Sequence, residues 1–283
     1  MLIYKEVISL KKIALIVNFD KSNALEIATK LISMLSGKAE VYTDKAGFEK
    51  FPQTTYKPDD ELFSTCSVAA VLGGDGTIIS TAKRCAPFGT ILLGINIGNL
   101  GYLSTFESHN LKEAAELLLN DKIYFDKRFM LRASVVTNGK EASVYHALNE
   151  IVVSRKSNSR LMDFTAYCNE KTVCDYRADG MILATPTGST AYSLSAGGPV
   201  ISPDANTMLI TPICPHMLRA RSIVLPPERI RIEFNSNAEL AIDGQIFESL
   251  QSGDYIIVEK SEYVTHLARN KELNFYDILQ KKL

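Results

Sequence analysis

The chain has 283 residues, of which 46% are hydrophobic and 22% charged, with a formal net charge of −1. That length suits two ordinary domains or one large one, and the composition is that of a soluble globular protein. The near-zero net charge excludes bulk attraction to nucleic acid or to an anionic membrane, so neither is expected as a partner. No apolar run approaches the roughly 20 residues that a spanning helix needs. Residues 1–12 mix charged with apolar side chains and lack a signal-peptide core, so a cytoplasmic location is expected. The five cysteines, Cys66, Cys85, Cys168, Cys174 and Cys214, fit no zinc spacing and read as small hydrophobes.

Taken in order, residues 12–18 read as a buried strand. Residues 22–35 read as a helix with Leu25, Ile27, Ala28, Leu31, Ile32 and Leu35 on one face, ended by Gly37. Residues 39–42 make a second strand. From 43 to 58 periodicity is lost and a loop is expected. An apolar run from Val68 then breaks abruptly into Gly73-Gly-Asp-Gly-Thr77, and residues 78–85 continue as a helix. Residues 90–95 are another buried strand, residues 96–103 a turn broken by Gly98 and Gly101, and residues 110–120 a helix. This alternation predicts an α/β, doubly wound parallel sheet over residues 1–122.

From Tyr124 the pattern becomes all-β. Residues 129–137 and 141–154 read as strands around Asn138-Gly139, a strong hairpin signal. Residues 159–168 and 172–176 pair around 169–171. Short strands follow at 208–213, 222–225, 229–234, 240–242 and 255–260. A β-rich second domain over 123–270 is expected, with a terminal helix, residues 274–283, and the segment 271–283 returning to the first domain.

The chemistry begins at the glycine turn. Such a turn after a parallel strand faces the crevice where open α/β sheets bind ligands, and its free N–H groups suit phosphate. Asp75 sits among them. It could take a proton from a hydroxyl nucleophile or hold a divalent metal; the plain alternative is a helix cap. The turn is neither a dinucleotide fingerprint nor a Walker loop. Asn149-Glu150 is a polar pair inside an apolar strand, which implies a partner or ligand; the alternative is a pair facing water. Residues 185–199 are rich in glycine and hydroxyls. Thr187, Ser189, Thr190, Ser193 and Ser195 could line a sugar or phosphate pocket, or serve as ordinary caps. His216 lies with two arginines in a proline-stiffened loop, 212–221. Asp243 and Gln245 fall at a turn between strands.

Taken together, Gly73-Gly-Asp-Gly-Thr77, Asn149-Glu150, Asp179-Gly180, residues 185–199, Pro215-His216 and Asp243-Gly-Gln245 resemble the NAD kinase family, over residues 12 to about 269. The resemblance implies transfer of the terminal phosphoryl group of ATP, or of polyphosphate, to the adenosine 2′-hydroxyl of NAD. It implies a divalent metal such as Mg²⁺, with no ligand set assigned, and a homo-oligomer, dimer or tetramer. It assigns Asp75 as general base, with Gly74 and Gly76 beside the substrate. Asn149 and Glu150 would contact adenosine. Asp179 and the run Thr190, Ala191, Tyr192, Ser193 and Ser195 would complete the dinucleotide pocket. Gln245 would lie near the diphosphate or the donor, and Arg160 and Arg177 stand where the family often has arginines. Many members carry Arg or His where this chain has Ser80, so Lys83 and Arg84 become the nearest cations. Two alternatives stay open: a diacylglycerol- or sphingosine-type lipid kinase on the same scaffold, and a non-catalytic NAD(P)-binding sensor.

Overall fold

The protein is described by a computed structural model covering residues 10–98, 101–156, 160–269 and 274–282. In chain order its elements are β1 (Lys11–Val17), α1 (Ala24–Leu35), β2 (Ala39–Thr43), α2 (Lys45–Lys50), β3 (Thr55–Tyr56), α3 (Asp59–Thr65), β4 (Val68–Gly73), α4 (Asp75–Cys85), β5 (Ile91–Asn96), β6 (Phe106–Glu107) and α5 (Leu111–Leu119). They continue with β7 (Phe125–Thr137), β8 (Lys140–Ala147), β9 (Glu150–Arg155), β10 (Met162–Cys168), β11 (Lys171–Ala178), β12 (Gly180–Ala184), α6 (Tyr192–Ser195), β13 (Met208–Ile213) and β14 (Ile223–Leu225). The last are β15 (Ile230–Phe234), β16 (Ala238–Ile242), β17 (Gln245–Leu250), β18 (Tyr255–Ala268) and α7 (Phe275–Lys282). The chain forms two compact units, Met1–Asp126 with Thr265–Leu283, and Lys127–Val264.

In the first unit the strands run β3-β2-β1-β4-β5, all parallel, and the end of β18 adds to β5 through His266↔Ile91 and Leu267↔Leu92. Successive strand residues point to opposite faces. Leu93 and Ile95 therefore join the core shared with Ile27, Leu31, Ala114 and Leu118 of α1 and α5. Gly94 between them lies under Ile78 of α4, where a side chain would collide with Ile78 Cδ1. With helices on both faces, β4 is buried at every residue, as its uninterrupted apolar sequence requires.

Two local expectations are corrected here, and one helix is added. Leu25 is 51% exposed, and Ala24 takes its place on the inner face of α1. The expected loop 43–58 contains α2 and β3. Asp44 caps α2 by accepting Gly47 N–H at 3.0 Å, and Phe51 after it is buried. Helix α3 has no long periodic run to announce it. It starts after Pro58 with Asp59, Asp60 and Glu61 in its first turn, where negative charge suits the helix dipole, and it is held by buried Leu62 and Phe63.

The second unit has two antiparallel sheets. One runs β14-β13-β12-β9-β16-β17; the other includes β11-β10-β15-β18. Their facing side chains, among them Ile151, Val153, Phe164, Met181, Leu240 and Ile256, share one core, the arrangement of a sandwich. The other face of β9 and β12 is covered too. Val152, Ile182 and Ala184 pack with Ala196 and Ile201 from the segment after β12, which explains why β12 is buried along its whole length.

The Asn138-Gly139 hairpin forms with both residues at positive φ, 53° and 74°. The expected strand 141–154 is two strands. β8 ends at Ala147, and β9 begins at Glu150 in the other sheet. The break falls at Leu148-Asn149. Pro212 lies within β13 rather than in the loop after it. Part of the expected strand 159–168 and of the segment 271–283 lies outside the described residues.

Candidate active site

In the first unit, three loops leave the sheet side by side. Val17 pairs with Leu72, Leu72 with Ile95, and Gly73 with Asn96. Asn18, Gly74 and Ile97 therefore open adjacent turns at the carboxyl ends of β1, β4 and β5. Asn18 Nδ2 ties the first loop to the second by donating to Thr77 Oγ1 at 3.3 Å. Gly73 lets the turn close tightly, since a Cβ there would lie 2.6 Å from Thr77 Cβ.

Asp75 is the first residue of α4, after an extended Gly74 that makes no side-chain cap. The cap alternative is thus corrected: the Asp75 carboxylate turns to the loop after β5. Oδ2 accepts Tyr102 N–H at 2.7 Å and Oδ1 accepts Leu103 N–H at 3.1 Å. Gly101 lies so close that a Cβ on it would overlap Asp75 Oδ1. Two charge-assisted bonds fix the carboxylate and leave each oxygen a further lone pair. Burial and the neighbouring Asp75 charge raise the Tyr102 phenol pKa, and Lys282 Nζ sits 5.7 Å from the Tyr102 ring centroid. Gly101→Ala is expected to lower turnover about 100-fold by displacing the carboxylate while leaving the Tm within a few degrees. Steady-state rates beside a melting curve check it, and an unchanged rate would remove the positioning role.

The expected cations are placed otherwise. Arg84 donates to Asp59 Oδ2 at 2.7 Å and pairs with Asp44 at 3.3 Å. It and Lys83 lie in the last turn of α4, about 12 Å along the axis from Asp75. The Ser80 hydroxyl donates to Thr77 O at 3.0 Å.

In the second unit, the β16–β17 turn grips the start of β9. Asp243 has φ 50° and Gly244 φ 80°. Asp243 Oδ1 accepts the Asn149 and Glu150 N–H groups at 2.8 and 3.1 Å, and Oδ2 accepts Leu148 N–H at 3.0 Å. Its own N–H donates to Glu150 O at 3.0 Å. These bonds satisfy the backbone where β8 gives way to β9. From the other side, Thr185 Oγ1 donates to Leu148 O at 2.6 Å and accepts Gly188 N–H at 3.0 Å. Gly188 lies directly on the Asn149 carbonyl, with no room for a Cβ.

Asn149 and Glu150 are buried, at 7% and 5% exposure, which corrects the alternative of a pair facing water. Among the described residues, Asn149 Oδ1 and Glu150 Oε2 have no hydrogen-bond partner. Burial and the Asp243 charge push the Glu150 carboxyl up to about 7, opposed by a hydrogen bond from the Tyr192 amide. An unfolded Glu loses its proton near 4.5, so between 4.5 and 7 the folded state holds the extra proton and stability falls as pH rises. The penalty reaches roughly 3 kcal/mol above pH 7. Glu150→Gln is therefore expected to gain stability over the parent between pH 5 and pH 8, read from urea midpoints; a pH-independent difference would contradict it.

The hydroxyls of residues 185–199 mostly hold the segment itself. Ser189 Oγ accepts Ile201 N–H at 2.7 Å, and Ser193 Oγ meets Thr211 Oγ1 at 2.9 Å with no exposure. Thr190 Oγ1 donates to Thr187 O at 3.2 Å. Ala191 is half-buried, Ser195 exposed and Tyr192 44% exposed. Asp179 pairs with Arg155 Nε at 2.5 Å. Arg177 is exposed, 3.9 Å from Asp163, and its carbonyl accepts His216 N–H at 2.7 Å. Arg160 and Gln245 are exposed, the latter opening β17. The structure thus gathers Asn149, Glu150, Tyr192 and Asp243, and separately fixes Asp75 among Gly73, Gly101 and Tyr102. Sequence reading missed Arg155 and the close-approach role of Gly101. The positions of Gly98 and Gly101 past a parallel strand were the available signal for the latter.

The profile of the ATP-NAD kinase N-terminal domain matches residues 13–123, and that of the ATP-NAD kinase C-terminal domain matches residues 148–270. The chain belongs to the NAD kinase family. It is 40% identical to the NAD kinase of Caldanaerobacter subterraneus subsp. tengcongensis over 284 residues, covering 97% of this chain and 99% of that one. It is 39% identical to the NAD kinase of Prosthecochloris aestuarii, covering 96% of each. Among solved structures it is similar to yeast NADH kinase complexed with NADH, with TM-score 0.86, 25% identity, and 96% and 86% of the two chains covered. An NAD kinase from Archaeoglobus fulgidus in complex with ATP shares the fold at TM-score 0.73 and 23% identity, covering 95% and 98%. As in these NAD kinases, an α/β unit is followed by a β-rich one. These relatives lend no support to a lipid kinase or a non-catalytic sensor. No helix among the described residues is long and apolar enough to cross a membrane.

Proposed function

We propose that this NAD kinase transfers the γ-phosphoryl group of ATP to the 2′-hydroxyl of the adenosine ribose of NAD, with Asp75 as general base. The observation that carries the reading is the Asp75 carboxylate, fixed by the Tyr102 and Leu103 amides in a glycine turn at the carboxyl edge of a parallel sheet. The 2′-hydroxyl donates a hydrogen bond to Asp75. As its oxygen bonds phosphorus, the proton passes to the carboxylate and ADP leaves. Such a base contributes about 10²- to 10⁴-fold. The first-turn amides of α4 have no acceptor within the helix, so the backbone of Gly74, Asp75 and Gly76 offers donors to phosphate oxygens.

Adenosine falls to Asn149 and Glu150, whose unpartnered buried oxygens call for ligand donors; an exocyclic amine supplies them. Tyr192, Thr190 and Ala191 would complete the dinucleotide site, with Asp179 paired to Arg155, while the buried Ser193 braces the segment through Thr211 and Ser195 sits at its exposed end. The polar and phosphate parts of the dinucleotide would fall to Gln245, Arg160 and Arg177, all exposed.

No group of three His, Cys, Asp or Glu side chains among the described residues is placed to hold a metal. A divalent ion such as Mg²⁺ would therefore come bound to the ATP phosphates rather than in a protein cage. Bound so, it would neutralise charge on the transferred group. A homo-oligomer, dimer or tetramer, is supported by Met217 and Leu218, 44% and 97% exposed; light scattering would count the copies. The reading carries a cytoplasmic location.

The test is a coupled assay of the purified protein with NAD, ATP and Mg²⁺, detecting NADP with an NADP-specific dehydrogenase. NADP formation supports the reading, and parallel reactions with polyphosphate and NADH define donor and acceptor. If no donor yields NADP or NADPH, the assignment fails.

A further inference from the structure

We infer that Lys21 is the protein's cation for the phosphoryl donor, binding the terminal phosphates of ATP across the mouth of the glycine turn. The inference rests on the NAD kinase reading. That chemistry needs positive charge near the transferred group, and the turn has no lysine of its own. The cations that follow it in α4 lie at the far end of the helix, and Arg84 is paired with Asp44 and Asp59.

Lys21 follows β1, in the loop that Asn18 ties to Thr77. Its ammonium reaches the loop after β5: a methyl group on Gly98 would meet Lys21 Nζ at 3.9 Å and Asn96 Oδ1 at 3.7 Å. In the sheet, β4 lies between β1 and β5, with neighbouring strands about 4.8 Å apart. A side chain joining the ends of β1 and β5 therefore passes over the end of β4, where Gly73 and Gly74 open the turn to Asp75. The backbone of this edge is fixed on all three strands. Lys21 N–H donates to Asn18 O at 3.4 Å, Asn18 N–H to Leu72 O at 2.9 Å, and Gly98 N–H to Asn96 Oδ1 at 2.7 Å. Lys21 is exposed, and no carboxylate among the described residues pairs with its ammonium. Other lysines on the same unit, such as Lys30 and Lys57, have carboxylate partners four residues away. An ammonium left unpaired and carried over an anion-binding turn is suited to a phosphate, which it meets as a mobile point charge.

The test compares the parent enzyme with Lys21→Met and Lys21→Arg, by ATP saturation kinetics and by calorimetric titration of Mg-ATP without NAD. Lys21→Met is expected to lose roughly 10- to 100-fold in kcat/KM for ATP and to bind Mg-ATP at least about tenfold more weakly. The KM for NAD should stay within about twofold, and Lys21→Arg should recover most of the loss. An unaltered melting curve shows that the fold is intact. Unchanged ATP kinetics and affinity in Lys21→Met would overturn the inference, as would an effect confined to NAD. If the parent makes no NADP yet binds Mg-ATP, and Lys21→Met loses that binding, the reaction assignment falls while the role of Lys21 stands.

Discussion

Asp75→Asn is expected to lower kcat by about 10²- to 10⁴-fold while the protein folds and still binds NAD. Asparagine keeps the shape, so Gly101 remains uncrowded. One amide of the Tyr102-Leu103 pair keeps its acceptor, and the other faces an NH₂ group instead of an oxygen. That local mismatch costs about 1–3 kcal/mol, well short of unfolding a typical domain. Asn149 and Glu150, the groups proposed for adenosine, are untouched. Single-turnover rates with saturating ATP and NAD, beside an NAD titration, make the comparison. Turnover within a few-fold of the parent would remove Asp75 as the base. Loss of NAD affinity in step with rate would instead make it a binding residue.

Asp243→Ala is expected to be the most destabilising single change at the site, by about 3 kcal/mol or more, and to weaken NAD binding at least about tenfold. Three main-chain donors, at Leu148, Asn149 and Glu150, lose their acceptor at once. Alanine must also hold the φ of 50° that Asp243 adopts, which adds about 1–2 kcal/mol. The bonds lie where the chain leaves one sheet for the other, so their loss frees Asn149 and Glu150, the two residues proposed for adenosine. Asp243→Asn, which tolerates that backbone angle and keeps part of the acceptor set, should fall between the two. Urea unfolding and calorimetric NAD titration give both quantities. A loss below about 1 kcal/mol with unchanged NAD affinity would mean that water replaces the carboxylate and that Asp243 is an ordinary turn residue.

Local features of the chain carried much of the reading. The uninterrupted apolar run Val68–Gly73 can be satisfied only where both faces are covered, and it became an interior strand of the parallel sheet, between β1 and β5. The Asn138-Gly139 pair required positive φ at both residues and formed its hairpin. The grouping of Gly73-Gly-Asp-Gly-Thr77, Asn149-Glu150 and residues 185–199 gave the family.

Tertiary structure decided the rest, because those choices depend on groups far apart in the chain. Helices α2 and α3 are too short for periodicity to reveal, and they are held by the burial of Phe51, Leu62 and Phe63. The interruption of an apolar stretch at Leu148-Asn149 is stabilised by a carboxylate almost a hundred residues later. The hydroxyls of residues 185–199 looked like pocket lining, yet Thr185, Ser189 and Ser193 bond to Leu148, Ile201 and Thr211. Arg84 turned to Asp44 and Asp59, and Lys21 came over the turn from another strand. The sequence by itself determined the family, the strands of the parallel core and the identity of the acid in the turn, because backbone-limited residues and unbroken apolar runs act locally. What holds that acid, which hydroxyls are spent on structure and which cation reaches the turn were decided only by the fold, because hydrogen bonds and ion pairs are set by proximity in space.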